Sequence, residues 1–403
     1  MGAVTPIGIG IKSLWEACIS GHSGVGEITL FDAQNYETRI AAEAKNFNPS
    51  DFMLPEVYRK TDRFAQMGIA AARMALEDAG LESQYDKTSN NIPVIIGSGL
   101  GGSLFHEEQI FKLIEGNDPR RVLSSSVPRI APNAVSAFIA MEFKLRGPNI
   151  VISTACSSGG NAIATAAQLL KTRLADIAVT GGVECPISPF TYAAYQSLHV
   201  LAKGSNGRKV PRPFDKNRDG FVLGEGAGIL ILEDYNRAKA RGAKIYGELL
   251  GYSSNCGVYH MASPEPDGSD AAQAIQSALA MAKIQPKEIQ YINAHGTATK
   301  MNDIAESKAI GKVFGFGKRG PYVSSTKSHM GHTIGAAGAI EAILTILAIQ
   351  HDIIPPTINC DELDEECDVN VIQKQALKTK VKLAISNSFG FGSNNSVLMF
   401  GKQ

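Results

Sequence analysis

Short apolar runs and longer amphipathic stretches alternate along this 403-residue chain. The apolar runs have the length of strands and end in glycine or another small residue. They lie at 91–99, 149–155, 175–184, 226–235, 289–296, 382–390 and 395–401. Between them, apolar residues recur with helical spacing in "TDRFAQMGIAAARMALEDAG", "NAIATAAQLLKTRLA", "SDAAQAIQSALAMAKI" and "GAAGAIEAILTILAIQ". This alternation predicts an α/β architecture with largely parallel sheets.

The order of the elements indicates two halves. In the first half a strand leads to Cys156 at the start of a helix, and in the second half strands lead to "NAHG", "STKSHMGH" and "NSFGFG". We place the break in "RAKARGAK" (237–244), which gives one half over 1–243 and another over 244–403. No flexible linker marks this break.

Composition excludes some classes of protein. Hydrophobic residues make up 44% and charged residues 19% of the chain, which is typical of a well-packed globular protein. The formal net charge is zero, so no global charge favours binding to nucleic acid or to a membrane surface. We see no signal peptide and no run of about 18 apolar residues, and therefore expect a cytosolic protein.

One of six scattered cysteines stands where chemistry is expected. Cys156 follows the strand "NIVIS" and precedes two serines and two glycines, so it falls at the mouth of a helix. The free backbone N–H groups and the dipole of a helix start favour an anion. We therefore expect a lowered pKa and a nucleophilic thiolate at Cys156, with the same N–H groups available to an oxyanion.

Basic residues lie in two further loops of small residues. His295 follows a strand directly in "NAHGTAT", and "STKSHMGHTIGAAGA" places Lys327 and His332 in a turn that opens an Ala/Gly-rich helix. A lone histidine is more often structural, but two of them together with Cys156 in loops of small residues favour one catalytic site.

At these motifs the chain resembles the β-ketoacyl-[acyl-carrier-protein] synthases, and within them the synthase II branch. The matching stretches are "TACSSG", "NAHGTAT", "STKSHMGHTIGAAGA", "NSFGFG" (387–392) and "RPFDKNRDGFVLGEGAG" (212–228), in the same order and nearly end to end. The resemblance implies the thiolase fold, in which two similar halves form five α/β/α/β/α layers. It also implies a homodimer and no cofactor or metal.

The resemblance implies a decarboxylating Claisen condensation. Cys156 would take an acyl chain from acyl carrier protein, and malonyl-loaded carrier protein would then lose carbon dioxide. Neutral His295 and His332 would hydrogen-bond the enolate oxygen, and the carbanion would attack the acyl group. Backbone N–H groups of Cys156 and Phe391 would hold the oxyanions.

The resemblance also implies supporting roles for residues around the site. Lys327 would organise the site electrostatically rather than carry a proton, and Glu306 would support the network through hydrogen bonds. Phe391 between Gly390 and Gly392 would be a gate between the acyl pocket and the pantetheine tunnel. Ser393 replaces the usual glycine after this gate and is expected to slow it.

Substrate contacts are expected in three places. Thr297 and Thr299 would hydrogen-bond the pantetheine amide, while Phe105, His106 and Tyr195 would line the acyl pocket. His106 stands where relatives carry an aliphatic residue, so it would shorten the pocket or favour polar or unsaturated chains. The acidic carrier protein needs a basic patch, for which the candidates are Arg59, Lys60, Arg63, Arg120 and Arg121.

Other interpretations remain open at this point. "GSGLGG" fits G-x-G-x-x-G at Gly97, Gly99 and Gly102, which raises an NAD-dependent oxidoreductase, but no second strand follows it. A zinc site from Cys156, His295 and His332 lacks local ligand spacing. A ketosynthase of a type II polyketide or aryl-polyene pathway would use the same chemistry.

The start of the chain departs from the family pattern. Relatives open with an apolar strand before the segment that matches "GAVTPIG", whereas Met1 falls at the end of that strand. We therefore expect one sheet to lack its first strand.

Overall fold

The described residues of the first half form eight strands and nine α-helices. The computed structural model describes residues 1–81, 91–203, 207 and 209–403. The strands are β1 Gly2–Thr5, β2 Gly8–Ile9, β3 Val25–Glu27, β4 Ile40–Ala42, β5 Val94–Gly97, β6 Asn149–Ile152, β7 Ile177–Glu184 and β8 Gly226–Glu233. The helices are α1 Ile11–Ile19, α2 Pro55–Tyr58, α3 Arg63–Asp78, α4 Ser103–Gly116, α5 Ser126–Ile130, α6 Ala134–Glu142, α7 Ser158–Lys171, α8 Pro189–Ser197 and α9 Tyr235–Ala240.

The second half repeats much of this arrangement. Its strands are β9 Glu248–Cys256, β10 Tyr291–Asn293, β11 Gly317–Ser324, β12 Ile353–Ile354, β13 Val369–Val371, β14 Leu377–Lys378, β15 Leu383–Gly390 and β16 Asn394–Gly401. Its helices are α10 Ser269–Ala282, α11 Lys300–Phe314, α12 Lys327–Met330 and α13 Ala337–His351.

Two six-stranded sheets show that the halves are related. The first has the order β2-β1-β8-β7-β5-β6 and the second β13-β11-β10-β15-β16-β9. In both, an antiparallel pair (β7 with β8, β15 with β16) continues into parallel strands (β5 and β6, β10 and β11). The predicted two-half α/β organisation is therefore confirmed. The exact boundary between 243 and 244 stays a prediction, and it falls between α9 and β9.

Helices separate and cover the two sheets. α7 and α13 contact each other and strands of both sheets, so they form the middle layer. α3 and α6 cover the outer face of the first sheet, and α10 and α11 cover the second. The result is the five-layered order α/β/α/β/α, with the loops that carry the catalytic candidates near the middle layer.

α13 is the most apolar helix of the middle layer. The segment Ile334–His351 has a mean hydropathy of 1.5 over 18 residues and could cross a membrane by length and composition alone. The sequence predicts a helix here but no run of about 18 apolar residues, because Glu341 and Thr345 interrupt the apolar positions. Since 89% of the segment is buried inside the protein, it is typical of a core helix.

The position of the expected missing strand is filled by a short one. β1 pairs with β8 only from Gly2 to Val4, whereas its counterpart β9 pairs along the length of β16. The expectation of an absent strand was therefore wrong for the described residues, but the strand is four residues long against nine for β9.

Candidate active site

The turn that presents Cys156 is held by its neighbours' side chains. Cys156 stands two residues before the first residue of α7, after Ala155, whose φ of 50° lies in the left-handed region. The Ser157 hydroxyl donates to the Thr154 carbonyl at 2.8 Å, and the Ser158 hydroxyl donates to the Ala155 carbonyl at 2.6 Å. The two serines therefore stabilise a strained turn between β6 and α7.

The end of β15 packs directly against this turn. A Cβ atom on Gly390 would lie 2.9 Å from the Thr154 carbonyl oxygen and 3.0 Å from the Cys156 nitrogen, so only glycine fits without a shift. The next backbone N–H, that of Phe391, hydrogen-bonds the Cys156 sulfur. Gly392 then takes a φ of 74°, which favours glycine. The nucleophile and the candidate gate are thus in direct contact.

Two imidazoles complete the group. His295 follows β10 and His332 follows α12, and their rings lie 5.3 Å apart at 82°. The Cys156 sulfur and one nitrogen from each imidazole all lie within 4.8 Å of one another. Three loops that are distant in sequence therefore bring together the three residues expected from the motifs.

Both imidazoles are neutral. Burial lowers the pKa of His295 and of His332 well below the usual value, and the positive charge of Lys327 lowers them further. The Ile334 N–H donates to Nδ1 of His332 at 3.2 Å, which leaves the proton on its Nε2. His332 therefore presents a hydrogen-bond donor rather than a metal-binding lone pair.

Buried carboxylates hold the loops in place. Glu306 accepts hydrogen bonds from the backbone N–H groups of His295 and Gly296 and from the Asn387 amide, at 2.8, 2.7 and 3.1 Å. Lys327 forms a buried ion pair with Glu341 of α13. Burial raises the pKa of Glu341 to about 7, although Lys327 opposes the rise. The sequence analysis missed Glu341, the only acidic residue of an otherwise apolar helix.

The expected low pKa of Cys156 is not found. Burial raises the pKa of this thiol to about 12, and the Lys327 charge and the Phe391 N–H only partly oppose the rise. Because the sulfur is enclosed by protein, the thiolate loses its hydration, and this raises the pKa more than the start of the helix lowers it. The thiol is therefore protonated, and its proton must leave as the sulfur attacks.

The raised pKa predicts the pH dependence of alkylation. Below the pKa, the thiolate fraction rises about tenfold for each pH unit. We expect the rate of Cys156 alkylation by iodoacetamide, followed by peptide mass spectrometry, to rise without a plateau between about pH 7 and pH 9. A plateau near pH 7 would show that the thiolate is already formed.

A cavity leads to these three residues. It encloses about 700 Å³ and is lined by residues that include Cys156, Tyr195, His295, Thr297, Thr299, His332 and Phe391. The Thr297 and Thr299 hydroxyls lie 2.9 Å apart. The two threonines and Tyr195 thus lie where a substrate in this cavity would contact them.

Two expected pocket residues lie elsewhere. The residues that line the cavity in the described part of the chain do not include Phe105 or His106. Phe105 is buried beneath the Arg129 guanidinium, 3.7 Å from its ring centre, and His106 is exposed on the opposite side of α4. The expectation that His106 shapes the acyl cavity of this chain is not supported, because α4 turns it outward.

The basic patch also requires a correction. Arg63 donates to both carboxylate oxygens of buried Glu225, at 2.8 and 2.6 Å, so its charge is already paired. Arg59, Lys60, Arg120 and Arg121 are exposed, and Arg120 also pairs with Asp118. Four of the five candidates therefore remain accessible to a partner.

The glycine-rich loop does not provide a dinucleotide site. The N–H groups of Gly99 and Leu100 donate to buried Glu184, at 2.6 and 3.0 Å. A carboxylate thus occupies the donors that a pyrophosphate would need. The oxidoreductase interpretation is therefore wrong.

Comparison with known proteins finds relatives that match along the full length of the chain. Among curated proteins, the 3-oxoacyl-[acyl-carrier-protein] synthase 2 of Synechocystis is 41% identical, with 100% of this chain and 96% of the relative covered. The protein of the same name from Vibrio harveyi is 43% identical, with 100% and 97% covered.

Solved structures show the same fold. The ishigamide ketosynthase/chain length factor has a TM-score of 0.93 and 35% identity, and a β-ketoacyl synthase from Burkholderia phymatum has 0.92 and 32%. Both matches extend over all of this chain, and they include 97% of the first solved chain and 98% of the second. The thiolase fold is therefore confirmed. Residues 1–238 match the N-terminal domain of β-ketoacyl synthases, and residues 246–361 match the C-terminal domain. The chain therefore belongs to the β-ketoacyl synthase family.

Proposed function

We propose that this protein is a 3-oxoacyl-[acyl-carrier-protein] synthase that extends acyl chains by two carbons in fatty acid biosynthesis. The observation that carries this proposal is the group of one thiol and two neutral imidazoles within 4.8 Å, reached through a cavity of about 700 Å³. The full-length curated relatives named 3-oxoacyl-[acyl-carrier-protein] synthase 2 support the substrate class. The reaction is a decarboxylating Claisen condensation.

The first step loads the acyl chain. The Cys156 sulfur attacks the thioester carbonyl of acyl carrier protein, and its proton passes to the sulfur of the departing carrier. The carbon–sulfur bond to the carrier breaks, and the carrier leaves as a free thiol. The N–H groups of Cys156 and Phe391 stabilise the oxyanion; loss of one such donor typically costs about 3 kcal/mol in the transition state.

The second step forms the nucleophilic carbon. Malonyl-loaded carrier protein enters the cavity, with Thr297 and Thr299 bonding its pantetheine amide. The bond to its carboxylate breaks, carbon dioxide leaves, and the electron pair remains as an enolate. His295 and His332 donate hydrogen bonds to the enolate oxygen. Because both imidazoles are neutral, they do so without adding a positive charge to the site.

The third step joins the two chains. The enolate carbon attacks the acyl carbonyl on Cys156, the carbon–sulfur bond breaks, and the Cys156 thiolate takes up a proton from water. The product is two carbons longer and carries a 3-oxo group. Burial and the Lys327 charge keep both imidazoles neutral, and Glu306 fixes the loop that carries His295. Phe391, between Gly390 and Gly392, gates the acyl part of the cavity.

Ser393 holds the gate more firmly than glycine would. It has a left-handed φ of 54°, and its hydroxyl donates to the His260 carbonyl at 3.1 Å. The Gly392 N–H donates to the Met261 carbonyl at 2.7 Å. The gate is therefore tied to the neighbouring loop by two hydrogen bonds that must break for it to swing.

Acyl carrier protein binds the exposed basic residues Arg59, Lys60, Arg120 and Arg121 in this proposal. A solved type II polyketide ketosynthase in complex with its acyl carrier protein, 31% identical to this chain, supports such a partner. The protein acts in the cytosol. It forms a homodimer, which the exposed apolar side chains Phe111 and Ile114 of α4 support.

Charge reversal in this patch tests the carrier surface. Arg59→Glu with Arg120→Glu is expected to raise KM for carrier-linked acyl groups about tenfold and to leave KM for acyl-CoA nearly unchanged. Lys287→Glu, a change on the surface of the second half, is the matched control. An equal rise in KM for both substrates would show that these residues do not form the carrier-protein surface. Arg63→Glu is unsuitable because it would leave Glu225 buried without its partner.

The function itself is tested by product analysis. We expect octanoyl and malonyl groups on acyl carrier protein to give 3-oxodecanoyl carrier protein and one carbon dioxide per product. Octanoyl carrier protein that stays unextended, while malonyl carrier protein is decarboxylated, would contradict a synthase of fatty acid type.

A ketosynthase of a type II polyketide or aryl-polyene pathway is the second candidate. The observation that favours it is the TM-score of 0.93 with the ishigamide ketosynthase/chain length factor. Failure to elongate saturated carriers, together with elongation of polyene or 3-oxo chains, would favour this pathway.

A further inference from the structure

A phenol lines the cavity, and no group of the described residues accepts a hydrogen bond from its hydroxyl. Tyr195 is carried by α8 and lines the same cavity as Cys156. Burial raises the pKa of its hydroxyl, and the interaction with Cys156 adds to the rise. Tyr195 is half-buried, so its hydroxyl faces the cavity near the nucleophile and stays protonated.

The surroundings of Tyr195 are otherwise apolar. Its ring packs edge-on against Phe221, 5.8 Å away, and Phe221 packs in the same way against His332, at 5.2 Å. The cluster that contains Cys156 also includes Ile187, Leu201, Leu223 and Ile334. Within the described ranges, no side chain or carbonyl accepts a hydrogen bond from the Tyr195 hydroxyl, whereas Tyr192, on the same helix, donates to the Ile40 carbonyl.

An unpartnered hydroxyl in such a place has a consequence for selectivity. A saturated chain that covers it would remove its water and offer no acceptor, which is unfavourable. An acyl chain with an oxygen at the same depth would accept the hydrogen bond. A donor that the bound chain buries discriminates against chains that lack the acceptor.

We propose that Tyr195 selects acyl chains that carry a carbonyl or hydroxyl oxygen close to the thioester, such as 3-oxoacyl and 3-hydroxyacyl groups. This inference rests on the condensing reaction of the proposed function, and a measured preference for such chains would favour the second candidate pathway. It gives Tyr195 the polar role in the acyl pocket that the sequence had assigned to His106. An enzyme with this preference would accept its own 3-oxo product as the next acyl chain.

Tyr195→Phe is the direct test because it removes one oxygen atom and keeps the ring. Loading of Cys156 is measured by intact mass with octanoyl, 3-oxooctanoyl and 3-hydroxyoctanoyl carrier protein. We expect kcat/KM for the two oxygenated chains to fall about fivefold to tenfold, and that for octanoyl to stay equal or rise. Tyr36→Phe is the matched control, because Tyr36 packs against the same cluster. Its hydroxyl donates to the Pro189 carbonyl, outside the cavity.

The outcomes separate this proposal from the proposed function. If Tyr195→Phe changes kcat/KM for all three chains by the same factor, the selectivity role of Tyr195 is overturned while loading itself still stands. The same holds if Tyr36→Phe changes the ratio of kcat/KM between oxygenated and saturated chains as much as Tyr195→Phe does. If none of the three chains loads on the unaltered protein, the proposed function fails first. The proposal is supported if the unaltered protein has a lower kcat/KM for octanoyl than for the oxygenated chains and only Tyr195→Phe removes this difference.

Discussion

Cys156→Ala is expected to abolish chain elongation, with a loss of kcat on the order of a million-fold. The change removes the atom that carries the acyl chain in every turnover, and no other cysteine of the described residues lines the cavity. The smaller side chain needs no new space in the turn between β6 and α7. Product formation from acyl- and malonyl-loaded carrier protein is the measurement.

Cys256→Ser is the control for the loss of a thiol. Cys256 is an exposed cysteine, and it is expected to react with general thiol reagents without contributing to turnover. Elongation that survives Cys156→Ala, or that is lost in Cys256→Ser, would place the nucleophile elsewhere. Circular dichroism of both variants shows whether the fold is retained.

His295→Ala is expected to separate loading from decarboxylation. The imidazole donates to the enolate oxygen, which forms only after malonyl carrier protein has bound, so release of carbon dioxide should fall about 100- to 1000-fold. Transfer of the acyl chain to Cys156 should continue, because the N–H groups of Cys156 and Phe391 stabilise that oxyanion. Carbon dioxide release and intact mass are followed in the same sample.

His351→Gln is the matched control for this variant. His351 lies at the end of α13 and stacks on Trp15 at 5.2 Å, outside the cavity. Unchanged release of carbon dioxide by His295→Ala would overturn the role of this imidazole. An equal loss of loading and decarboxylation would mean that the variant disturbs the whole site.

Sequence reasoning predicted much of the fold and the centre of the site because both follow local rules. Apolar runs ending in small residues became strands, and the helical periods became α3, α7, α10 and α13. Cys156, His295 and His332 were identified because each stands in a loop of small residues after a strand or short helix. Motifs of this kind are short and continuous in sequence.

What the sequence could not predict depends on three-dimensional surroundings. The pKa of Cys156 is decided by how completely the sulfur is enclosed, which a strand–helix pattern does not express. Arg63 and Glu225 are 162 residues apart in the chain, so their pairing is visible only in the folded protein. The outward direction of His106 depends on how α4 lies against its neighbours.

Glu341 offered a signal that could have been used. It is a single carboxylate in "GAIEAILTILAIQ", and a charge in an apolar helix requires a buried partner. Lys327 is that partner. A search for opposite charges in apolar segments would have joined the two before the structure was known.

The central claim is that the Cys156 sulfur holds the acyl chain between the two half-reactions. Intact-mass spectrometry of the protein after incubation with octanoyl carrier protein tests it most directly. The account predicts one added octanoyl group that maps to Cys156 and disappears when malonyl carrier protein is supplied. A mass that stays unchanged, or an acyl group on a different residue, would contradict the account.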